Sequence, residues 1–316
     1  VTGGAIAEID AVVAEARSIA DRVILLELRS ADGVELPAWS PGAHLDVVVQ
    51  PGVERQYSLC GDPADRQVYR VAVLREPDGR GASEHVHAHV HTGDALRVRG
   101  PLNHFELVDA PAYTFVAGGI GITPLVPMIR AVEAGGSPWT LDYAGRSRAS
   151  MPFAEDLVAS YGDRVRIHAA DEGGRLDLSA LEPGESAVYC CGPARMLDAV
   201  TAQAASWPPG VLHLERFEAR EVTEPVRQES FEVELELSGI TLTVPPDRSI
   251  LEVVEDAGVL VLSSCREGTC GTCETPVVSG EIDHRDSVLT PEEHALNEVM
   301  MICVSRAACP RLVLEL

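Results

Sequence analysis

The chain has 316 residues, 46% of them hydrophobic, which is too long for one small core and enough to fill the interiors of two or three domains. A formal net charge of −24 argues against nucleic acid and anionic membrane surfaces as partners, and apart from histidine every basic residue is arginine. No apolar run approaches the length of a membrane span, and the N-terminus lacks the basic-then-apolar pattern of a signal peptide, so a soluble, cytoplasmic protein is expected.

Residues 5–105 alternate apolar and polar side chains, with turn signals at Asp32-Gly33, Pro41-Gly42, Pro51-Gly52, Asp78-Gly79 and Gly93-Asp94. Stretches such as VILLELRS and QVYRVAVLRE read as strands, and together they predict an antiparallel barrel. From about Ala112 short apolar strands (YTFVA, WTLDYAG, VRIHAA, AVYCC, VLHLE) alternate with helical stretches, the pattern of βα units on a parallel nucleotide-binding sheet. The charged, apolar-poor run EAREVTEPVRQES after Phe217 reads as a linker. A hairpin FEVELELSGITLTV turning at Ser238-Gly239 follows, then a helix near Ser249 to Asp256, then a cysteine loop.

That loop, SCREGTCGTC, places Cys265, Cys270 and Cys273 at the spacing C-x4-C-x2-C, with Cys303 as a distant fourth. This is the plant-type arrangement for a 2Fe-2S cluster, and its small residues allow a tight turn that aims backbone N–H groups at the sulfurs. Disulfide pairing would not select this spacing, and zinc ligands usually come as two short pairs. Cys60, Cys190, Cys191 and Cys309 show no paired spacing, which suits a reducing compartment.

Two further groups point to nucleotide-like ligands. Arg55-Gln56-Tyr57-Ser58 lies on a strand, and Gly79-Arg80-Gly81-Ala82-Ser83 opens a helical stretch with the composition of a phosphate cradle. Gly118-Gly119-Ile120-Gly121-Ile122-Thr123-Pro124 follows YTFVA and opens another helix, and Cys191-Gly192-Pro193, with Met196 one turn later, ends the strand AVYCC. A GGxG turn alone would often be only a structural loop. The histidines of SEHVHAHVH would share one face on a strand, but after the cradle a helix is expected, in which alternate residues point about 200° apart, so partly exposed helix residues are expected rather than a metal site.

Taken together, RQYSL followed by GRGAS, GGIGITP with CGPxxM, and the cysteine loop resemble the phthalate dioxygenase reductase and vanillate demethylase reductase family. The resemblance covers nearly the whole chain and implies a multidomain protein: an antiparallel β-barrel flavin domain (1–106), an α/β parallel-sheet nucleotide domain (107–219), a linker (220–229) and an α+β β-grasp ferredoxin domain (230–316). It assigns FMN contacts to Arg55, Gln56, Tyr57, Ser58, Val73, Leu74, Arg80, Gly81, Ala82 and Ser83. It gives the NAD domain Gly118, Gly119, Gly121, Thr123, Pro124, Cys191, Gly192, Pro193 and Met196, with Arg146, Ser147 and Arg148 near the adenosine ribose. Phe217 matches an aromatic that covers the flavin ring, or else plugs the domain.

Electrons are then expected to pass from NADH through FMN and the 2Fe-2S cluster to a terminal oxygenase, either a Rieske or a haem-thiolate monooxygenase, in the oxidation or demethylation of aromatic compounds. No catalytic triad or general base is expected, because positioning is the protein's part. Arg146 and Arg148 keep NADPH as an alternative. One rival reading is the reductase part of a self-sufficient haem monooxygenase fusion; another is a non-enzymatic iron-sulfur carrier or redox sensor. Residues 221–316 carry 19 Asp and Glu against 6 Arg, a net −13, which serves solubility or docks a basic oxygenase, with Arg266 and Glu267 as rim contacts. A monomer is expected.

Overall fold

Alternation in the first hundred residues becomes six antiparallel strands: β1 (Glu8–Ala20), β2 (Val23–Ser30), β3 (His44–Gln50), β4 (Val53–Ser58), β5 (Tyr69–Leu74) and, after helix α1 (Ala82–His89), β6 (Ala95–Leu102). They form one sheet in the order β4-β3-β6-β1-β2-β5. Among the described residues its two edges are joined by a bridge between Leu59 and Val71, beside a 2.9 Å hydrogen bond from Cys60 N to Arg70 O. The predicted barrel is therefore present, closed at a narrow seam. Alternate residues such as Val13, Leu26, Leu28, Leu45, Val47, Val71 and Val98 fill its interior, and Val86 of α1 seals one end. The histidine segment is helical, as expected.

The computed structural model describes residues 7–77, 79–220 and 224–316. The Asp78-Gly79 turn and linker residues 221–223 thus involve positions outside the described residues. At the other four turn signals Gly33, Gly42, Gly52 and Gly93 have positive φ.

The second block gives β7 (Ala112–Gly118), α2 (Leu125–Gly135), β8 (Trp139–Gly145), α3 (Ala154–Tyr161), β9 (Val165–Ala169), β10 (Ser186–Cys191), α4 (Ala194–Ala204) and β11 (Leu212–Glu215). All pairings are parallel, in the order β11-β10-β7-β8-β9. The strand order reverses between β7 and β10, so the crevice at their C-terminal ends is the place where such a sheet binds its ligand. Phe115, Leu141, Tyr143 and Tyr189 are fully buried in its core. Barrel and parallel sheet belong to one unit, Val1–Glu215, in which Ile120 and Phe153 pack against Val23, Leu25 and Ala72.

The second unit, Arg216–Leu316, contains β12 (Phe231–Leu235), β13 (Ile240–Val244), α5 (Ile250–Asp256), β14 (Glu274–Ser279), β15 (Ile282–Asp283), α6 (Pro291–Leu296), β16 (Val299–Met301), β17 (Arg306–Ala307) and β18 (Arg311–Leu314). The sheet order is β13-β12-β18-β14-β16, with the central β12 and β18 parallel, a β-grasp. Ser249 starts α5 through a reciprocal capping box with Glu252, a device worth about 1 kcal/mol. Among the described residues no helix is long and apolar enough to cross a membrane.

Candidate functional site

The flavin-type residues gather at the barrel seam. Arg55, Gln56, Tyr57 and Ser58 lie on β4, and Val73 and Leu74 end β5, the strand it meets at the seam. The chain leaving β5 leads to Arg80 and into α1, where Gly81 caps the helix at φ 84° with no side-chain cap and open space where a Cβ would stand. Only glycine adopts this conformation readily, and the gap leaves the start of the helix open to an anion. Ser83 Oγ accepts a 3.1 Å hydrogen bond from Glu76 N, tying the helix start to the segment after β5. Tyr57 is pushed up to about 12 by burial, against the pull of Arg55, with Glu76 close enough to add its charge.

Some assigned contacts have other roles in the fold. Gln56 Nε2 donates to Asp46 Oδ1 at 3.1 Å and lies 3.1 Å from His44 Nε2, so its side chain serves the neighbouring strand. Val73 is wholly buried in the barrel core, and its carbonyl accepts from His87 Nε2 at 2.9 Å. Arg55 Nη1 donates to the Glu54 carbonyl at 2.7 Å.

The nicotinamide-type turns touch directly. Cys191 pairs with Ala117 in register, bringing the turn after β10 against the turn after β7. A Cβ on Gly121 would stand 2.3 Å from Cys191 O, and one on Gly192 would stand 2.9 Å from Gly118 Cα. Backbone approach this close requires glycine at both places. Met196 Cε backs the same contact, and Pro193 caps α4. Thr123 is 2% exposed and its hydroxyl donates to Ile120 O at 3.0 Å, so it braces the Gly119–Ile122 turn ahead of Pro124.

At the ribose end, Ser147 and Ser150 form a reciprocal capping box after β8. Arg148 Nε lies 3.0 and 3.1 Å from the two Glu172 oxygens and Nη1 3.4 Å from Glu155, while Arg146 is exposed. Arg148 is thus already engaged by two carboxylates, which disfavours its use for a 2′-phosphate.

One residue of this junction was missed in the sequence: Glu215. It ends β11 in register with Cys191, and its Oε2 accepts from Ser58 Oγ at 3.4 Å and from the Cys191 thiol at 3.9 Å. The residue keeps some exposed surface, but its carboxyl is crowded by protein atoms. That desolvation outweighs both hydrogen bonds and pushes Glu215 up to about 8. Burial, with Glu215 beside it, also pushes the Cys191 thiol up. A flavin-strand hydroxyl, a thiol and a protonated carboxyl therefore meet where the barrel joins the nucleotide sheet.

In the second unit the four predicted cysteines converge in the loop between α5 and β14 and beside β16. Hydrogen bonds from the Cys270 and Cys303 thiols hold Cys265 well below the usual thiol range, and Cys273 is lowered chiefly by Cys303. Backbone N–H groups point at the sulfurs: Glu267 and Thr269 to Cys265 at 3.3 and 3.4 Å, and Thr272 to Cys270 at 3.4 Å. Four converging thiols with amide donors fit a 2Fe-2S cluster and its negative charge. Arg266 folds back onto α5, with Nη2 donating to Glu255 at 2.7 and 2.9 Å. Among the described residues no cysteine forms a disulfide. Phe217 is 44% exposed.

Comparison with known proteins agrees with both halves. Residues 233–308 match the 2Fe-2S iron-sulfur cluster binding domain. The chain is 43% identical over 302 residues to the phenoxybenzoate dioxygenase subunit beta of Ectopseudomonas oleovorans, covering 94% of each. It is similar in structure to phthalate dioxygenase reductase, described as a modular structure for electron transfer from pyridine nucleotides to [2Fe-2S], with TM-score 0.70, 38% identity and 99% and 98% of the two chains covered. An intact type IV self-sufficient cytochrome P450 monooxygenase matches 98% of this chain at TM-score 0.90 and 45% identity, while this chain spans 41% of that one. On this likeness over nearly its full length, the chain belongs to the phthalate dioxygenase reductase family of flavin and iron-sulfur oxygenase reductases.

Proposed function

We propose that the protein is an NADH-dependent reductase that delivers electrons through FMN and a 2Fe-2S cluster to a terminal oxygenase acting on aromatic compounds, with the domain limits 1–106, 107–219, 220–229 and 230–316. The observation that carries this reading is that one chain holds both the Ser58–Cys191–Glu215 junction and the four-thiol site. Bound FMN supplies the exchange between two-electron and one-electron transfer that a nicotinamide and an iron-sulfur cluster cannot make directly. The chain's own residues position and insulate. The start of α1 with Arg80 and Ser83 holds the phosphate, the Gly118–Gly121 and Cys191–Pro193 turns admit the nicotinamide, and Glu215 keeps a proton beside Ser58. Amides of Glu267, Thr269 and Thr272 support the cluster thiolates. Engagement of Arg148 by Glu172 and Glu155 favours NADH over NADPH.

The purified protein should reduce ferricyanide and cytochrome c with NADH, and denaturation should release FMN; release of FAD would refute the flavin assignment. Replacing Arg80 or Ser83 by Ala should weaken FMN retention about 10- to 150-fold, the equivalent of one charge-assisted hydrogen bond of about 1.5–3 kcal/mol. Equilibrium dialysis of flavin against each variant checks this.

The oxygenase is proposed to dock on the acidic ferredoxin domain, the protein acting as a cytoplasmic monomer. The net −13 of residues 221–316 would steer a basic patch toward the cluster and speed encounter more than it tightens the complex. Coupled turnover should fall as salt shortens the Debye length to about 3 Å at 1 M, while ferricyanide reduction changes much less. Salt-independent coupled turnover would direct attention to apolar contacts around the cluster loop. The 45% identity to part of a self-sufficient P450 supports a second reading, in which the acceptor is a haem monooxygenase fused to this reductase.

A further inference from the structure

Behind the cysteine loop lies a group that electron transfer does not use. Asp286 is 3% exposed, and its Oδ1 stands 3.7 Å from His284 Nδ1 and 3.3 Å from His294 Nε2. Ligand atoms of all three residues fall within 4.8 Å of one another. The two imidazoles stack with centroids 4.2 Å apart. The side chain of His284 is only 9% exposed, yet neither of its ring nitrogens has a hydrogen-bond partner among the described residues. A nearly buried imidazole with both nitrogens unused is costly, and a metal ion is one group that would satisfy it.

We propose that His284, Asp286 and His294 form a binding site for a divalent cation of the zinc class, separate from the four-cysteine site. Zinc takes imidazole nitrogen and carboxylate oxygen at about 2.0–2.2 Å, so ligands around a tetrahedral ion lie about 3.3–3.5 Å apart. The separations of 3.3 and 3.7 Å here come close to that with small side-chain adjustment. The carboxylate is held in place: Oδ2 accepts from Val288 N at 3.1 Å and Leu289 N at 2.8 Å, and Ser305 Oγ lies 3.5 Å from Oδ1. Orientation of a ligand by outer hydrogen bonds is characteristic of metal sites.

The site also backs the cluster loop. A Cβ on Gly268 would stand 3.1 Å from Asp286 Cα, and Ser287 N donates to Gly268 O at 2.7 Å. A cation bound there would brace the loop that carries Cys265 and Cys270.

The test is titration of the holoprotein, with flavin and cluster in place, with zinc chloride by calorimetry, alongside His294→Asn and the double variant His85→Asn/His89→Asn. The double variant is needed because His85 and His89 on α1, with rings 4.7 Å apart, are a surface pair that could take up zinc. One zinc per chain should bind with the cluster absorption unchanged, persist in the double variant and weaken at least about 100-fold in His294→Asn. Zinc X-ray absorption on the wild-type protein gives a reading that does not depend on any variant folding: nitrogen and oxygen neighbours at about 2.0–2.2 Å are expected, without sulfur at about 2.3 Å. Absence of binding, binding lost with His85 and His89, or a sulfur shell with bleaching of the cluster would each overturn the proposal and leave an ordinary buried polar cluster.

Discussion

Replacing Cys265 by Ala should abolish the 2Fe-2S absorption and lower NADH-driven cytochrome c reduction by roughly two orders of magnitude, while ferricyanide reduction stays within about twofold of wild type. The reason is the division of the chain. Val1–Glu215 contains the whole barrel and the whole parallel sheet, with their own buried clusters, and the core around Val233, Leu251, Met300 and Leu312 is made only of residues from the second unit. Cys265 is the least buried of the four ligands, so its truncation disturbs that core least. Loss of both activities together would mean that the flavin half needs the iron-sulfur half to fold. Retention of both would mean that electrons reach cytochrome c from the flavin directly.

The second large effect concerns pH. Glu215 is raised from 4.5 to about 8 in the folded protein, so between those values the folded chain holds a proton that the unfolded chain releases. Its contribution to stability is therefore complete below about pH 4.5, declines as pH rises and is lost once pH passes about 8. At 1.36 kcal/mol per unit the change amounts to at most about 5 kcal/mol, less as water reaches the charged carboxylate. Glu215→Gln keeps the shape and removes the titration. The variant should gain stability over wild type progressively between about pH 4.5 and 8 in urea unfolding, with no further gain above that. The kcat/KM for NADH with ferricyanide should fall through about pH 8 in wild type, as Ser58 and Cys191 acquire an anionic neighbour, and stay flat in the variant. Parallel profiles for the two proteins would assign the titration to another group.

The most legible feature in the sequence was the one in which chemistry dictates spacing. Iron ligation puts Cys265, Cys270 and Cys273 on a short glycine-containing loop, and their convergence with Cys303 follows. The strands of the parallel sheet were equally readable, because strands covered on both faces read as unbroken apolar runs, and GGIG and CGP mark the ends of two of them. Glu215 was not readable. In LHLE it is one polar residue in an alternating strand, and its meaning arises from parallel register with Cys191 and from a serine 157 residues earlier. Arg148 looked available for a phosphate because the carboxylate that holds it, Glu172, lies 24 residues further on, after the next strand. Long-range pairings of this kind leave no periodic trace.

The narrow closure of the barrel gives the flavin a mechanical part. With one bridge and a neighbouring amide bond between β4 and β5, the seam is the least fastened edge of that sheet, and the Tyr57 strand and the Ser83 helix start stand on opposite sides of it. A ligand held by both would work as a clasp. Flavin loss should loosen the molecule there first, with the amide of Cys60, which bonds across the seam to Arg70 O, exchanging with deuterated solvent sooner than those of β1 and β2, which pair with neighbours on both sides.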